Sequence, residues 1–502
     1  MSDATGGQGT VSAPYGRRNG WRNARGHIVF LLALVTAFAI VWWLEQWETG
    51  RAAQGAVAAW TPDPETPVPA PPLEPLTDGQ MEAARAAWAY FEGNIQPETG
   101  LANTVAAFPS TTMWDTGSFL LAAVAAERLG VLDRAGFDGV VGPALDSLAR
   151  MPLFDGRLPN KAYDTTSLVM VNYANEPTEE GIGWSALDIG RALVPLHLLL
   201  RDYPEHAEGV AAVLDHWDLG SAVQDGVMMG ALPGEGGYEL VQEGRLGYEQ
   251  YAAKGFALFG LDVGEAQRVE THLGWVDVHG IEVPSDARNP EALGAHTHTV
   301  SDPYILAALE YGWDGRLAEL AWRVYQAQER RHAETGLLTA VTEDHLDREP
   351  YFVYSTVVAN GEPWAVLTDD GEPAEGFRTL STKAALGWDA LYGTDYTARL
   401  AQAVEGLRTE DGWGAGIYEE IEEPNDVLAA NTNAVILQSL HWRAFGPMLW
   451  PEGLRDEERV AEAGEAGVAE EDAAADAGSA LAADPGPAVA PDAGPALAVS
   501  AP

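Results

Sequence analysis

Two residue types are scarce in this sequence of 502 residues. It contains no cysteine, which excludes disulfide bonds and thiolate metal sites. Lysine occurs only at Lys161, Lys254 and Lys383, whereas Asp and Glu together number 75. The formal charge of −46 argues against nucleic acid as a partner, because phosphate binding requires a basic surface.

Composition divides the chain into five segments. Residues 1–26 and 451–502 are predicted to be disordered tails, the second acidic and rich in Ala and Pro, because neither can bury enough apolar surface to fold. Residues 27–47 are predominantly apolar, and residues 48–76 form a stiff Pro-rich linker. The remaining stretch, 77–450, is long enough to form one large domain.

The apolar run at residues 27–47 predicts a single transmembrane helix. Four arginines precede it and tryptophans lie at its far end, which favours a cytoplasmic N-terminus. A cleaved signal peptide is the alternative, but no small-x-small cleavage site follows directly. The predicted location is therefore the bacterial inner membrane, with a single pass and the main domain in the periplasm.

Within the domain, helical periodicity dominates and alternating strand patterns are scarce. Six small-residue-rich, apolar helices are predicted to begin near Thr111, Gly183, Gly247, Ser301, Ser381 and Asn431. A more charged, amphipathic helix precedes each of them, at 79–91, 135–150, 205–217, 264–273, 316–331 and 396–407. Helices that are apolar all round belong inside and amphipathic helices belong outside. The predicted fold is therefore all-α, an (α/α)6 toroid of six helical hairpins; a solenoid is the alternative, but its repeats would be more regular.

The starts of the inner helices and the loops before them are rich in aromatic, acidic and amide side chains. In a toroid these starts converge on one end of the ring, where aromatic faces can stack on sugars and polar groups can bind hydroxyls. The candidate catalytic carboxylates are Glu249, Asp115, Glu243, Asp188, Glu343 and Asp344. The candidate substrate-binding residues are Trp114, Trp184, Tyr248, Tyr251, Lys161, Asn431 and Asn433.

Several of these acids also have purely structural interpretations. Asp115 can lie in the first turn after a Ser110–Thr111–Thr112 cap, where the helix dipole favours an acid. Asp188 can pair with Arg191 three residues later. Either Glu243 or Glu249 can form a salt bridge with Arg245.

The remaining acids have structural interpretations of their own. Glu343 and Asp344 can belong to a solvated acidic loop, and Asp302 is expected to be a helix N-cap. His296 and His298 lack a clear third ligand, so no metal and no cofactor are predicted.

The sequence contains no Gly-rich phosphate loop, nucleophile elbow or metalloprotease helix motif. Paired carboxylates in an aromatic cleft are the strongest remaining candidates for catalytic groups. One, its pKa raised by burial, would protonate a glycosidic oxygen, and the other would activate water or attack the anomeric carbon. Glu249 or Glu243 is the expected acid and Asp115 the expected base or orienting carboxylate.

Seven blocks in order resemble the bacterial family called domain of unknown function 3131, over about residues 81–449. They are PSTTMWDTGS, FDGRLPNKAYDT, GIGWSALDIGR, ELVQEGRLGYEQYAAKGF, LTAVTEDHLDREPYF, RTLSTKAALGW and NTNAVILQSL. The family is more distantly similar to (α/α)6 glycosidases, including endo-β-1,2-glucanases and the transglycosylation domain of cyclic β-glucan synthases. Those enzymes carry a Tyr-x-Glu-Tyr-like block, which Tyr248–Glu249–Gln250–Tyr251 matches with altered order. The resemblance implies a glucan or exopolysaccharide substrate.

The expected function is that of a membrane-anchored periplasmic glycoside hydrolase or transglycosylase acting on a β-glucan or exopolysaccharide. Expected partners are this polysaccharide, the inner membrane and envelope glucan or exopolysaccharide machinery. The alternative is a non-catalytic, polysaccharide-binding or scaffolding subunit of an envelope or secretion machine. A lyase acting on uronic-acid polymers is disfavoured, since so acidic a cleft would repel its substrate.

Overall fold

The computed structural model describes residues 68–293 and 295–449, and twelve helices lie in this part of the chain. Several of them begin with a side-chain cap; for example, Thr77 and Gln80 form a capping box at the first. The helices are α1 Asp78–Asn94, α2 Met113–Arg128, α3 Arg134–Leu148, α4 Ala186–Asp202, α5 Ala207–His216, α6 Tyr248–Leu258, α7 Pro290–Leu293, α8 Asp302–Tyr311, α9 Gly315–Thr335, α10 Thr382–Tyr392, α11 Asp395–Val404 and α12 Ala430–Phe445.

Six of these helices close a ring. Helix α2 packs on α4, α4 on α6, α6 on α8, α8 on α10, α10 on α12, and α12 returns to α2. Close approach depends on small residues: a Cβ at Gly255 would overlap the carbonyl oxygen of Gly190 on the neighbouring helix. Ring closure confirms the predicted toroid, with inner helices beginning within a few residues of the predicted starts.

The outer layer departs from the prediction at one position. Helices α1, α3, α5, α9 and α11 pack outside the ring as predicted. The expected outer helix at 264–273 is wrong: this stretch contains a short 3-10 turn, Val269–Thr271, and enters a strand. The antiparallel hairpin formed by strands Leu273–Val278 and Ile281–Asp286 packs against α9.

The all-α assignment is also wrong, because the connections carry many short antiparallel strands. They form seven small sheets, all in the part of the chain that the structure describes. The strands are β1 Ser110–Thr112, β2 Leu153–Phe154, β3 Leu158–Pro159, β4 Ala162–Asp164, β5 Met170–Val171, β6 Val223–Gln224, β7 Val227–Gly234, β8 Gly237–Gln242, β9 Leu273–Val278, β10 Ile281–Asp286, β11 His298–Thr299, β12 Glu343–His345, β13 Phe352–Ser355, β14 Val358–Ala359, β15 Glu362–Pro363, β16 Val366–Thr368, β17 Thr379–Ser381, β18 Arg408–Thr409, β19 Gly412–Tyr418 and β20 Pro424–Leu428.

The sheet β12–β13–β16 matters most for function. Its register pairs Glu343 with Tyr354, His345 with Phe352, and Asp344 with Val353. Since side chains alternate between the two faces of a strand, Glu343, His345, Phe352 and Tyr354 share one face. The other face packs Val353 and Val366 into a small core with Leu346, Ala374 and Tyr418.

The predicted localisation requires correction. Among residues 68–293 and 295–449, no helix is long and apolar enough to cross a bilayer, so the structure lends no support to an inner-membrane protein. The segment 27–47 lies outside the described residues. So do the two tails and most of the linker, and their boundaries stay predictions.

Candidate active site

The starts of the inner helices meet through a chain of buried polar side chains. Ser118 of α2 donates to Asn431 of α12 (3.2 Å), and Asn431 donates to Asp302 of α8 (3.0 Å). Lys383 of α10 reaches the same Asp302 oxygen (2.9 Å), and Arg191 of α4 donates to Ser118 (3.0 Å). These contacts gather five of the six helix starts at one end of the ring, here called the mouth.

Glu343 lies over this network, on the first residue of β12. Its Oε1 is 3.6 Å from the ammonium of Lys383, and its Oε2 accepts from the hydroxyl of Thr342 (2.9 Å). Burial raises the pKa of Glu343 to about 8; Lys383 opposes the shift and the charge of Asp302 adds to it. Asp302 itself is held ionised, because Lys383 and then the hydrogen bonds to it lower its pKa against the effect of burial. Two neighbouring carboxyl groups are thereby driven to opposite protonation states.

Asp188 lies on the first turn of α4 with its side chain partly exposed. Burial within the mouth, and then the nearby carboxyl of Glu243, raise the pKa of Asp188 to about 7. Ser185 and Lys161 favour its ionised form. The predicted pair with Arg191 is wrong, because Arg191 binds Glu310 and Tyr251 instead. Asp188 is therefore left accessible to react.

Glu243 is fixed to the start of α4. Its two oxygens accept from the hydroxyl of Ser185 (2.7 Å) and the backbone N–H of Ala186 (2.5 Å). Burial raises its pKa, against these hydrogen bonds and the charge of Lys161. Glu243 thus caps a helix N-terminus, where a carboxylate is stabilising, and adds negative charge beside Asp188.

Asp115 lies in the first turn of α2, just after the N-cap Thr112, as the sequence suggested. One oxygen accepts from the hydroxyls of Thr104 and Thr112 (both 2.8 Å), while its other oxygen, Oδ1, is buried without a hydrogen-bond partner in the structure. Its charge acts on both Asp188 and His345. Asp115 is therefore close to the mouth but almost fully enclosed.

Glu249 is placed apart from these groups. It is buried, and Arg288 binds it at 2.7 Å while also binding Asp286 at 2.5 Å. Burial raises the pKa of Glu249, and Arg288 opposes this. The expected salt bridge from Arg245 to Glu243 or Glu249 is absent from the described residues; Arg245 donates to Gln242 and Gly244. Glu249 is thus part of a structural ion cluster.

The predicted aromatic platforms divide into two groups. Trp114 and Tyr248 are partly exposed at the mouth, with ring centroids 5.6 Å apart, and Tyr248 lies beside Glu343. Trp184 and Tyr251 are fully buried: Trp184 donates to the carbonyl of Met229 (2.9 Å), and Tyr251 belongs to the Arg191 network. These two rings are part of the core and have no exposed face on which a sugar could stack.

The remaining predicted residues differ in exposure. Lys161 is partly exposed and faces Asp188, whereas Asn431 supports Asp302 from below. Asn433 is fully buried and binds the backbone of Trp413 and Ala429.

Two further acids differ from the roles that the sequence suggested. Asp344 accepts from Thr379 and Ser381 of β17 (2.9 and 3.1 Å), so it joins two sheets. Asp302 is not the predicted N-cap, since Ser301 holds that position.

Sequence reasoning missed three residues at the mouth: Lys383, Tyr354 and Tyr173. Lys383 is a buried cation and one of only three lysines, a scarcity that could have marked it. Tyr354 lies within electrostatic range of both Glu343 and Asp188, and Tyr173, with 60 % of its side chain exposed, lies near Asp188 and Glu243. Neither tyrosine belongs to an inner helix, so helical periodicity could not reveal it.

Within the described residues, one acidic group has ligand atoms close enough to hold a metal ion: Asp138, Glu205 and His206. It lies on the outer layer, and Arg134 forms ion pairs with both Asp138 and Glu205. The two acids already share this arginine, so the group is an ion-pair cluster. At the mouth, His298 stacks on Tyr354 with ring centroids 4.2 Å apart.

The ring of paired helices is an (α/α)6 toroid, with the acids gathered at its mouth. A family model described as "Protein of unknown function (DUF3131)" matches residues 82–446. The chain belongs to this family. A comparison with curated protein sequences gave no match.

Three solved structures illustrate the shared fold. A candidate glucoamylase from Bacteroides caccae ATCC 43185 has a TM-score of 0.54 at 11% identity, covering 74% of this chain and 94% of that one. A β-1,2-glucanase from Parabacteroides distasonis has a TM-score of 0.52 at 12% identity, covering 74% and 57% respectively. An endo-β-1,2-glucanase from Chitinophaga pinensis, in complex with sophorotriose and glucose, has a TM-score of 0.52 at 10% identity, covering 74% and 93%.

Proposed function

We propose that this protein is a glycoside hydrolase or transglycosylase acting on a β-glucan or a related exopolysaccharide. The proposal rests on the acids gathered at the mouth of the ring, where Tyr354 lies within electrostatic range of both Glu343 and Asp188 and burial raises their pKa values to about 8 and about 7. Near neutral pH the first is largely protonated and the second is partly ionised. Acid–base cleavage of a glycosidic bond needs this combination.

In the proposed reaction, Glu343 gives its proton to the glycosidic oxygen as the bond from that oxygen to the anomeric carbon breaks. Asp188 takes a proton from the attacking water, whose oxygen forms the new bond to the anomeric carbon. When a sugar hydroxyl replaces water, the same steps transfer the glycan chain. Lys383 and Asp302 stay buried beneath Glu343 and position it without reaching the substrate.

A glucan substrate is supported by the chemistry of the mouth. Partly exposed rings of Trp114, Tyr248 and Tyr354 surround the acids, as expected for sugar stacking. Two similar folds belong to proteins named β-1,2-glucanases, and one of them is in complex with sophorotriose and glucose. Linear β-1,2-glucan is therefore the first substrate to test. A role for envelope or exopolysaccharide machinery as partner stays a prediction.

The test is to incubate the full chain with linear β-1,2-, β-1,3- and β-1,4-glucans and to measure new reducing ends and chain length. We expect turnover or altered chain length on at least one of them, with Glu343→Gln slower by roughly 10³-fold. Asp395→Asn, at an exposed acid on outer helix α11, is the matched control and should keep wild-type activity.

Binding of a glucan without turnover across pH would contradict the proposal. It would favour the alternative, a polysaccharide-binding subunit that uses the same mouth.

A further inference from the structure

One face of the sheet β12–β13–β16 carries a row of rings that begins at the proposed acid. Tyr354 lies directly opposite Glu343 in the register, and Phe352 lies opposite His345. The ring of Phe352 meets Tyr354 edge-on at 5.2 Å and His345 edge-on at 5.2 Å. All three rings are partly exposed, although the opposite face of the sheet is packed into a core.

The row is held rigidly. His298 of β11 stacks parallel on Tyr354, with 4.2 Å between centroids and 4° between planes. Behind the sheet, Val353 and Val366 are fully buried, so the strands that carry the rings cannot shift easily. Rigid aromatic side chains lose little conformational entropy on binding, which suits them to hold a ligand.

A further aromatic side chain lies beside this row. Tyr173, 60 % exposed, is within electrostatic range of Asp188, Glu243 and Tyr354. A site that bound only one terminal sugar would have no use for a surface of four rings.

We propose that the Tyr354–Phe352–His345 face is a binding subsite for a glucan chain, holding the sugar units next to the bond that is cleaved. Tyr354 contacts the unit beside Glu343, and Phe352 with His345 contacts the next one. The inference rests on the proposed function. It adds that the preferred substrate is a chain long enough to reach Phe352.

The test compares Phe352→Ala with wild type on a ladder of linear β-1,2-gluco-oligosaccharides. Phe352→Ala should raise KM by roughly tenfold on the longer members, the size expected for one aromatic contact. It should leave kcat/KM on the shortest cleaved member unchanged, because that chain does not reach the ring. Tyr351→Ala is the control: this neighbouring ring is 59 % exposed and should affect no substrate.

Equal KM values for Phe352→Ala and wild type at every chain length would overturn the subsite. A uniform loss at all lengths, including the shortest, would also overturn it, because it would indicate a structural role. If the wild type cleaves none of these chains, the proposed function fails, but the subsite is still tested by the affinity of full-length β-1,2-glucan for wild type and Phe352→Ala. Equal affinity in that assay would reject the subsite, and weaker binding only in Phe352→Ala would support it.

Discussion

The ammonium of Lys383 lies 2.9 Å from Oδ2 of Asp302, and neither side chain is reached by solvent to more than a few per cent. The two residues are 81 positions apart and come from neighbouring inner helices, α8 and α10. Burial keeps the carboxyl of Glu343 protonated; Lys383 opposes this effect and the negative charge of Asp302 adds to it. The two residues beneath Glu343 therefore act in opposite directions on the protonation state of the proposed acid.

The pH dependence of activity should be a narrow bell. As the pH rises through about 7, Asp188 loses its proton and becomes a base, so kcat/KM rises. As the pH rises through about 8, Glu343 loses the proton that the leaving group needs, so kcat/KM falls. Initial rates at low substrate concentration across pH measure both limbs. An optimum below about pH 5, where ordinary carboxyl groups titrate, would contradict this assignment.

Replacing Asp302 should move only the alkaline limb. Asp302→Asn removes the anion that raises the pKa of Glu343, while the positive charge of Lys383 remains. The pKa of Glu343 should therefore fall, and the alkaline limb should shift to lower pH by roughly one unit. The same pH–rate measurement checks this, with Asp395→Asn as the control that leaves both limbs in place. An alkaline limb that stays fixed, or moves upward, would be inconsistent with the proposed coupling.

Glu249 should matter for stability rather than for chemistry. Glu249→Gln breaks the buried contact with Arg288, although Arg288 keeps its second partner, Asp286. We expect a loss of about 2 kcal/mol in the free energy of unfolding and a change in kcat of less than tenfold. Urea unfolding and steady-state kinetics measure the two quantities separately. A hundredfold lower kcat with unchanged stability would return Glu249 to the catalytic role that its sequence motif suggested.

The stability of the domain should depend on the Arg191–Glu310 pair at the centre of the ring. Both side chains are fully buried at 2.9 Å, and Glu310 also accepts from the hydroxyl of Tyr251 (2.7 Å). Glu310→Gln leaves the arginine charge uncompensated, so the free energy of unfolding should fall by about 3–5 kcal/mol. The matched control is Arg268→Met, which breaks the exposed pair with Glu265 and should cost about 0.5 kcal/mol or less. Equal losses of unfolding free energy in the two variants would show that the buried pair contributes no more to stability than the exposed one.

The ring could be predicted from the sequence because its signals are local. Apolar, small-residue-rich stretches mark each inner helix, and the observed starts, such as Met113 and Tyr248, lie close to the predicted ones. The strands could not be predicted in the same way, since most are two to four residues long and show no alternation. The outer helix predicted at 264–273 was wrong for the same reason. A short polar stretch is equally compatible with a turn, which is what the structure has there.

The candidate site was predicted only in part, because its partners are distant in sequence. Asp302 was predicted to be a helix N-cap, but it binds Lys383 and Asn431, which lie 81 and 129 residues away in sequence. Glu249 was predicted to be a catalytic acid, but Arg288, which lies 39 residues further along the chain, binds it. Acid residues could be found by position along the helices, whereas their protonation states depend on which side chains the fold brings beside them.

The assignment of Glu343 as acid and Asp188 as base is tested most directly by changing the leaving group. The substrates are a linear β-glucan oligosaccharide and the same oligosaccharide with a dinitrophenyl group, which leaves without protonation. Glu343→Gln should be slower by roughly 10³-fold on the first and within about tenfold of wild type on the second. Asp188→Asn should be slow on both. If Glu343→Gln were equally slow on both substrates, or as fast as wild type on the natural chain, Glu343 would not be the proton donor.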